Sequence, residues 1–378
     1  MASTPVAARI KREILPFIPY PVRDMLASLP EGTLGSLTEI RLRAGRPVSL
    51  VLPDRMGFVS RCGSLVDSPG LGYVFSAAEA KKALEMVTLG SVYALEEELR
   101  SGYITLAGGH RVGLVGKMVA GRDGQPVLRD ISGFNFRVAR EVPGCADTVM
   151  PYCISGDVHR MLSTLIISPP GAGKTTLLRD MVRQASDGVP RVGLPGHNVA
   201  VVDERSEIAS CYQGQPQNDV GARTDVLDNC PKARGIMMLI RSMSPDVIAT
   251  DEIGSQEDAS AVREALNAGV SVLATAHART LDDIYLRPAL KALVDTRAFE
   301  RVIALGRELG PGTLAGIYDA PTGQVLLRGP VRLAAGGGAS PDAGRKDVDA
   351  KAAGRITGRN CIKSCGLDDI RDLRPQAL

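Results

Sequence analysis

A nine-residue segment, Ser168-Pro-Pro-Gly-Ala-Gly-Lys-Thr-Thr176, constrains this chain more than any other part of its sequence. It follows an apolar run at Thr164–Ile167 and precedes a run with helical spacing at Thr175–Gln184, which is the strand-loop-helix context of a phosphate-binding loop. Gly171 and Gly173 allow the backbone to turn its N–H groups inward around phosphates. The N-terminus of the following helix adds a partial positive charge. The segment therefore predicts a triphosphate site.

The side chains of this loop predict ATP and Mg²⁺ as cofactors. Lys174 can reach the β- and γ-phosphates, and the hydroxyl of Thr175 is placed to ligate Mg²⁺. One position departs from the usual G-x-x-x-x-G-K-[ST] pattern, because Ser168 stands where the first glycine is expected; serine fits there if its φ is not positive. The predicted nucleotide-binding residues are Ser168, Pro169, Pro170, Gly171, Ala172, Gly173, Lys174, Thr175 and Thr176.

Acidic residues follow a second apolar strand, Val247–Asp251, in a Walker B pattern. The carboxyl ends of parallel strands open onto the same edge of a sheet as the phosphate loop. We therefore expect Asp251 to act on Mg²⁺, usually through water, and Glu252 to act on the nucleophilic water.

Two further strand ends supply candidates at the same edge. Strand Asn198–Asp203 is followed by Glu204 and Glu207, which either serve the nucleotide or are simply solvated charges. Strand Val270–Ala276 is followed by His277, which could sense the γ-phosphate together with Thr275.

The distribution of strands and helices predicts an α/β protein in three parts. Residues 1–145 hold short strand-like runs, one helical stretch at Ala77–Leu89, and a hairpin signal at Gly108-Gly109, which together indicate a small α+β domain. Residues 146–330 alternate strand and helix, which predicts a parallel sheet covered by helices. Residues 331–378 are rich in Gly, Ala, Asp and Arg, a composition that predicts a disordered extension. We assign no chemistry to Cys361 and Cys365 within it.

The composition excludes few classes of function but weakens the case for one of them, nucleic-acid binding. The formal net charge of +3 lies in the tail, so that residues 1–330 carry 36 Lys/Arg against 36 Asp/Glu. This neutral balance and the lack of Trp argue against a nucleic-acid-binding face. The seven scattered cysteines show no pair of CxxC units, so we expect reduced thiols and no zinc site. Short apolar runs and the absence of a signal-like start predict a cytoplasmic protein.

The order of these motifs resembles the secretion-ATPase superfamily, whose members carry a Walker A motif, an acidic Asp box, a Walker B motif and a His box. The resemblance extends over about residues 35 to 320 and is closer to the stage III sporulation protein AA family. Supporting segments begin at Leu37 (LTEIRLRAGRP), Gly108 (GGHRVGL), Ile131 (ISGFNFRVAR) and Val220 (VGARTDVLD).

The resemblance implies a RecA-like P-loop NTPase core, a smaller N-terminal α+β domain, and a homo-oligomeric, typically hexameric, ring. It implies a partnership with membrane-embedded secretion or sporulation-channel proteins at the inner face of the membrane. Glu204 and Glu207 fall on the acidic positions of the Asp box, and His277 falls on the His-box histidine. An arginine that reaches the nucleotide is expected among Arg137, Arg140 and Arg241.

Two questions stay open from the sequence. Asp251 stands where many secretion ATPases have Gly, so either Glu252 or Glu207 could activate the water. The function itself has three readings: an ATPase motor for a transport or assembly complex, a nucleic-acid-stimulated ATPase, or an assembly factor that binds ATP with negligible turnover.

Overall fold

A computed structural model describes residues 5–90, 96–120, 126–157 and 159–333. Two main sheets organise these residues, one of seven strands in the N-terminal domain and one of eight strands in the core. The remainder of the predicted tail, with Cys361 and Cys365, lies outside the described residues.

The N-terminal domain is built on an antiparallel sheet with the strand order β5-β4-β3-β1-β9-β8-β7. Its elements are α1 (Pro5–Arg9), α2 (Val22–Ala27), α3 (Glu31–Ser36), β1 (Glu39–Arg43), β2 (Arg46–Pro47), β3 (Ser49–Val51), β4 (Met56–Val59), β5 (Leu65–Val66), β6 (Val74–Phe75), α4 (Ala77–Val87), α5 (Glu96–Ser101), β7 (Tyr103–Thr105), β8 (Arg111–Ala120) and β9 (Pro126–Arg137). The predicted hairpin is present, since β7 pairs with β8 across a turn in which Gly108 and Gly109 have φ values of +85° and +76°. The predicted helix appears as α4, and the other helices of this domain were not predicted.

The core sheet has the strand order β12-β11-β13-β14-β10-β15-β16-β17, parallel from β12 to β15 and antiparallel from there to β17. Its elements are β10 (Thr164–Ser168), α6 (Lys174–Asp187), β11 (Val199–Asp203), β12 (Thr224–Asp228), α7 (Lys232–Met243), β13 (Val247–Thr250), α8 (Gln256–Asn267), β14 (Ser271–His277), α9 (Leu281–Tyr285), α10 (Pro288–Asp295), β15 (Arg301–Gly306), β16 (Thr313–Asp319) and β17 (Val325–Arg332).

The core has three layers because its central strands are apolar on both faces. Along β10, Ile166 packs with Leu178 and Met181 of α6 in one hydrophobic cluster. The alternate residues of β10, Leu165 and Ile167, belong to a second cluster that includes residues of α7, α8 and α10. Every residue of β10, β11 and β13 is buried, so these strands form a rigid base for the loops at their carboxyl ends.

This topology confirms the expected RecA-like α/β core. The strand that leads into the phosphate loop, β10, lies inside the sheet, and β14 separates it from β13, which carries the Walker B residues. The ends of β13 and β14 therefore meet the phosphate loop at one edge.

The structure differs from the sequence-based prediction at two places in the core. The sequence analysis assigned no strand to Thr224–Asp228, yet this segment forms the edge strand β12, paired in parallel with β11. The core also extends past residue 330, since β17 ends at Arg332 and Leu333 is buried in the core cluster.

Candidate nucleotide site

The phosphate loop has the backbone that its glycines predict. Gly171 and Gly173 have φ values of +68° and +100°, a region that residues with a Cβ rarely adopt. Ser168 is buried as the last residue of β10, paired in register with His277, so its backbone is that of an extended strand. α6 begins at Lys174 without a side-chain cap, which leaves its first N–H groups available to an anion.

Lys174, Glu252 and His277 meet directly in front of this loop. Nζ of Lys174 lies 3.0 Å from Oε1 of Glu252, and Nε2 of His277 lies 2.9 Å from the same oxygen. Nζ of Lys174 is also 3.3 Å from Nε2 of His277. The structure thus brings the Walker A lysine, the second Walker B acid and the predicted His-box residue into one cluster.

Arg205 completes the surroundings of Glu252. Its Nη1 donates to Oε2 of Glu252 at 3.1 Å. Burial alone would raise the pKa of the Glu252 carboxyl, but the hydrogen bond from Lys174 and the positive charges nearby hold that pKa below its usual value. Glu252 is therefore ionised at neutral pH and chemically able to accept a proton.

The backbone of Glu252 is held in an unusual conformation. Its φ is +40°, a region that costs a non-glycine residue roughly 1–3 kcal/mol. Thr275, buried in β14, compensates for this strain, because its Oγ1 accepts a hydrogen bond from the N–H of Glu252 at 2.8 Å and its carbonyl accepts one from Ile253 at 2.8 Å. The neighbouring strand thus aims Glu252 at the phosphate loop.

Asp251 is a buried carboxylate. It is 1% exposed, and among the described residues neither of its side-chain oxygens has a hydrogen-bond donor. Burial raises its pKa to about 6, with further contributions from the charges of Asp203, Glu207 and Glu252, while the charge of Lys232 acts to lower it. A cation beside these oxygens would remove the cost of this charge.

These surroundings fit Mg²⁺ if the nucleotide supplies most of its ligands. The described residues contain no group of three or more His, Cys, Asp or Glu that could hold a metal by itself. Mg²⁺ commonly keeps several waters and binds through one or two protein oxygens plus phosphate oxygens. Asp251 and the hydroxyl of Thr175, a half-buried residue, are the protein groups that would hold it, and the ion would neutralise charge on the phosphates.

The acidic residues at the end of β11, unlike Asp251, all have hydrogen-bond or ion-pair partners. The buried carboxylate of Asp203 accepts three backbone N–H bonds, from Glu207 at 2.8 Å, Ile208 at 3.0 Å and Ala209 at 2.8 Å. Glu204 forms an ion pair with Lys232, and Glu207 forms one with Arg111 of the N-terminal domain at 3.1 Å. Both glutamates of this group are thus paired with cations other than Lys174.

Within one chain, the structure does not bring the three predicted arginines to the phosphate loop. The side chain of Arg137 is 60% exposed and lies 3.8 Å from Glu39. Arg140 donates to the carbonyls of Gly35 and Leu37 at 2.9 Å and so ties the interdomain segment to the N-terminal domain. Arg241 is exposed in the last turn of α7, which leads into the start of β13, at the sheet edge opposite the loop.

Comparison with known proteins identifies the family. The model of the family described as Sporulation stage III, protein AA matches residues 9–326, which is most of the chain. The chain belongs to this sporulation protein family. A relative in the same family, stage III sporulation protein AA of Bacillus subtilis (strain 168), is 45% identical over 316 residues, covering 84% of this chain and 97% of that protein.

More distant similarities cover less of the chain or are weaker. The protein SEEDLING PLASTID DEVELOPMENT 1 of Arabidopsis thaliana is 32% identical over 167 residues, which cover 43% of this chain and 22% of that protein. The crystal structure of the pilus retraction motor PilT with bound ADP covers 72% of this chain and 76% of its own, with 14% identity and a TM-score of 0.49. The ATPase DotB of Yersinia pseudotuberculosis gives 16% identity, a TM-score of 0.47, and coverage of 71% and 70%.

Helices of the described part of this family member are all too short or too polar to pass through a bilayer.

Two residues that the sequence analysis did not single out lie in the site or support it. Arg205, between the acids after β11, contacts Glu252. Arg111 stacks 4.1 Å from the ring centre of Tyr103 and donates both to Glu207 and to the carbonyl of Arg205. For Arg205 the available signal was its positive charge between acidic residues. Arg111 has no acidic residue near it in the sequence, and its partner Glu207 lies 96 residues away in the chain.

Proposed function

We propose that this chain is an ATPase that hydrolyses ATP to energise transport or assembly by a membrane-embedded, secretion-like channel complex in sporulation, between mother cell and forespore. The observation that carries the proposal is the placement of Glu252, whose Oε1 lies 3.0 Å from Nζ of the phosphate-loop Lys174 and 2.9 Å from Nε2 of His277. An ionised carboxylate at this distance from a triphosphate site is placed to act on a water molecule that attacks the γ-phosphate.

In the proposed phosphoryl transfer, each group of the site has a separate role. N–H groups of the loop and of the first turn of α6 bind the phosphates, and Lys174 exchanges its contact with Glu252 for one with the β- and γ-phosphates. Glu252, released from this ion pair, accepts a proton from the attacking water while the water oxygen bonds to the γ-phosphorus. The bond from that phosphorus to the β–γ bridging oxygen breaks, and ADP leaves with the electron pair. Mg²⁺, bound through Thr175 and Asp251, would neutralise charge on the phosphate oxygens.

The geometry favours Glu252 over Glu207 as the group that activates water. Glu252 contacts Lys174, whereas Glu207 is held by Arg111 of the N-terminal domain. Glu204 pairs with Lys232, the cation whose charge lowers the pKa of Asp251, and so we assign it no part in activating the water. His277 keeps its proposed role as a γ-phosphate sensor because it touches both Lys174 and Glu252.

The proposed setting of the enzyme comes from its relatives. The Bacillus subtilis relative is named as a stage III sporulation protein, and the PilT and DotB structures carry the names of a motor and an ATPase. We propose a cytoplasmic homo-oligomer, a hexameric ring, that is held at the inner face of the membrane by its channel partners. In such a ring Arg137 or Arg241, both exposed, would reach the nucleotide of a neighbouring subunit.

Hydrolysis by the purified full chain tests the proposal. We expect Mg²⁺-dependent phosphate release that Lys174→Ala reduces to background, because the phosphates lose their principal cation. Lys82→Ala, a change at an exposed lysine of α4, serves as the matched control and should keep the wild-type rate.

The same assay separates the alternatives. Equal background rates for the wild type and Lys174→Ala would contradict an ATPase, and ATP binding by such an inactive wild type would favour a nucleotide-gated assembly factor. Strong stimulation of the wild-type rate by single-stranded DNA or RNA would favour the nucleic-acid-stimulated reading over the channel motor. Native mass measurement of the same sample tests the ring.

A further inference from the structure

A short loop between β15 and β16 is bonded to the phosphate loop itself. The N–H of Gly312 donates to the carbonyl of Ala172 at 2.8 Å. Within this loop, residues 307–312, the N–H of Gly310 donates to the carbonyl of Arg307 at 2.9 Å, and Oγ1 of Thr313 donates to the carbonyl of Gly310 at 2.6 Å. The loop is therefore a fixed turn whose position depends on the phosphate loop.

The first residue of this turn places a guanidinium on the phosphate loop. A Cβ at Gly171 would lie 3.0 Å from Nη2 of Arg307 and 3.7 Å from its Cζ, so the glycine is what lets the arginine approach so closely. Across the described part of the chain, the Arg307 side chain has no hydrogen bond and no ion pair. Glu308, the nearest acid in sequence, folds back over Gly306 instead.

The topology determines which end of a nucleotide would meet this arginine. Glu252 lies just after β13 and His277 is the last residue of β14, and together they mark the side of the loop where the γ-phosphate would react. β15 lies on the other side of β10, so Arg307 stands across the loop from the reacting end. A nucleotide with its γ-phosphate near Glu252 would bring its α- and β-phosphates toward Arg307.

We infer that Arg307 binds the α- and β-phosphates of the nucleotide, as a second cation that acts from the side of the loop opposite Glu252. This inference rests on the proposed nucleotide-binding function and adds a residue to it. A guanidinium matches phosphate oxygens in a bidentate geometry, and a charged hydrogen bond to a ligand is stronger than a neutral one. Because ATP and ADP share these two phosphates, Arg307 contributes to the affinity for both and little to the chemical step.

Equilibrium binding of MgATP and MgADP to the full chain, measured by calorimetry, tests this assignment. We expect Arg307→Ala to weaken both nucleotides by a similar factor, roughly 10- to 100-fold, the usual cost of a lost charged hydrogen bond. Arg307→Lys keeps the charge without the fork of donors and should fall between the wild type and Arg307→Ala. In hydrolysis, KM should rise by the same factor while kcat changes little.

Arg328→Ala is the matched control, since Arg328 is an exposed arginine of β17, and it should bind both nucleotides as the wild type does. Wild-type affinities for Arg307→Ala would overturn the inference, as would a loss confined to ATP or a loss of kcat at unchanged affinity. A wild-type chain that binds neither nucleotide would instead contradict the proposed function. Because the Arg307 side chain is exposed and unbonded, the thermal unfolding of Arg307→Ala should match that of the wild type.

Discussion

The same dipeptide, Asp-Glu, stands at the carboxyl ends of two neighbouring strands of the core, and its carboxylates have opposite surroundings at the two ends. Asp203, the last residue of β11, is buried and accepts three backbone N–H bonds, so it holds together the loop that follows. After β13, Asp251 is equally buried and has no donor among the described residues. The first carboxylate is satisfied by backbone of its own chain, whereas the second is the one that a bound cation would neutralise.

The difference extends to the glutamates. Glu204 pairs with Lys232, and Glu207 pairs with Arg111 of the other domain, so both belong to the structural framework. Glu252 pairs with the phosphate-loop lysine from a backbone at φ +40°. Positive-φ backbone occurs at both ends, at Ser206 and Ser210 after β11 and at Glu252 after β13, so it is the buried, unpaired charge of Asp251 that sets the end of β13 apart, as expected where a site gives up stability for function.

The largest effect should come from removing the carboxylate of Asp203 at the end of β11, and it should be an effect on stability. Asp203→Ala removes the acceptor of three buried N–H groups and should lower the free energy of unfolding by about 3–5 kcal/mol. Chemical denaturation of the full chain measures this loss, with Glu204→Ala as a milder neighbouring change. An Asp203→Ala chain that is as stable as the wild type but inactive would reverse the comparison and make Asp203 a functional ligand.

Removing the carboxylate of Asp251, at the end of β13, should have the opposite effect on stability and should impair hydrolysis. Asp251→Asn removes an expected Mg²⁺ ligand and should slow hydrolysis roughly 100-fold or more. The same change removes an uncompensated buried charge, so the nucleotide-free variant should be more stable than the wild type at pH 8 by about 1–3 kcal/mol.

The dependence of this stability difference on pH sharpens the test. The pKa of Asp251 is raised to about 6 in the folded chain, so the folded state binds the proton more tightly than the unfolded state does. The protonated carboxyl stabilises the fold at low pH, and this stability is lost as the pH rises through about 6. The gap between Asp251→Asn and the wild type should therefore be small near pH 4, grow through pH 6, and level off above it. A gap that does not change with pH would contradict the assigned origin.

The smallest effect concerns the link between the domains. Arg111 fixes Glu207 and the carbonyl of Arg205, whose side chain contacts Glu252. Arg111→Ala should lower kcat about threefold without changing KM, because a partly buried ion pair that acts through another residue has a modest effect. Arg129→Ala, at an exposed arginine of β9, is the control. An unchanged kcat for Arg111→Ala would separate the N-terminal domain from the chemistry.

The sequence predicts well which loop and strand ends form the site, but it predicts poorly which of the charged side chains have partners. The phosphate loop, the strands before Asp203 and Asp251, and the meeting of their ends follow from apolar runs and from the geometry of parallel sheets. The sequence cannot tell which aspartate is satisfied, because that depends on whether residues 207–209 fold back onto Asp203. Arg307 was missed for a related reason. It follows β15, a strand that was not predicted, and its contact with Gly171 spans more than a hundred residues of chain.

Hydrolysis rates of three glutamate variants test the central claim most directly, namely that the end of β13 performs the chemistry. Under saturating MgATP, Glu252→Gln should bind nucleotide normally and lose most of its turnover, because the amide cannot accept the proton from water. Glu207→Gln and Glu204→Gln should stay within a few-fold of the wild-type rate, since their carboxylates pair with Arg111 and Lys232. Wild-type turnover by Glu252→Gln, together with an inactive but folded Glu207→Gln, would contradict the account and move the catalytic base to the end of β11.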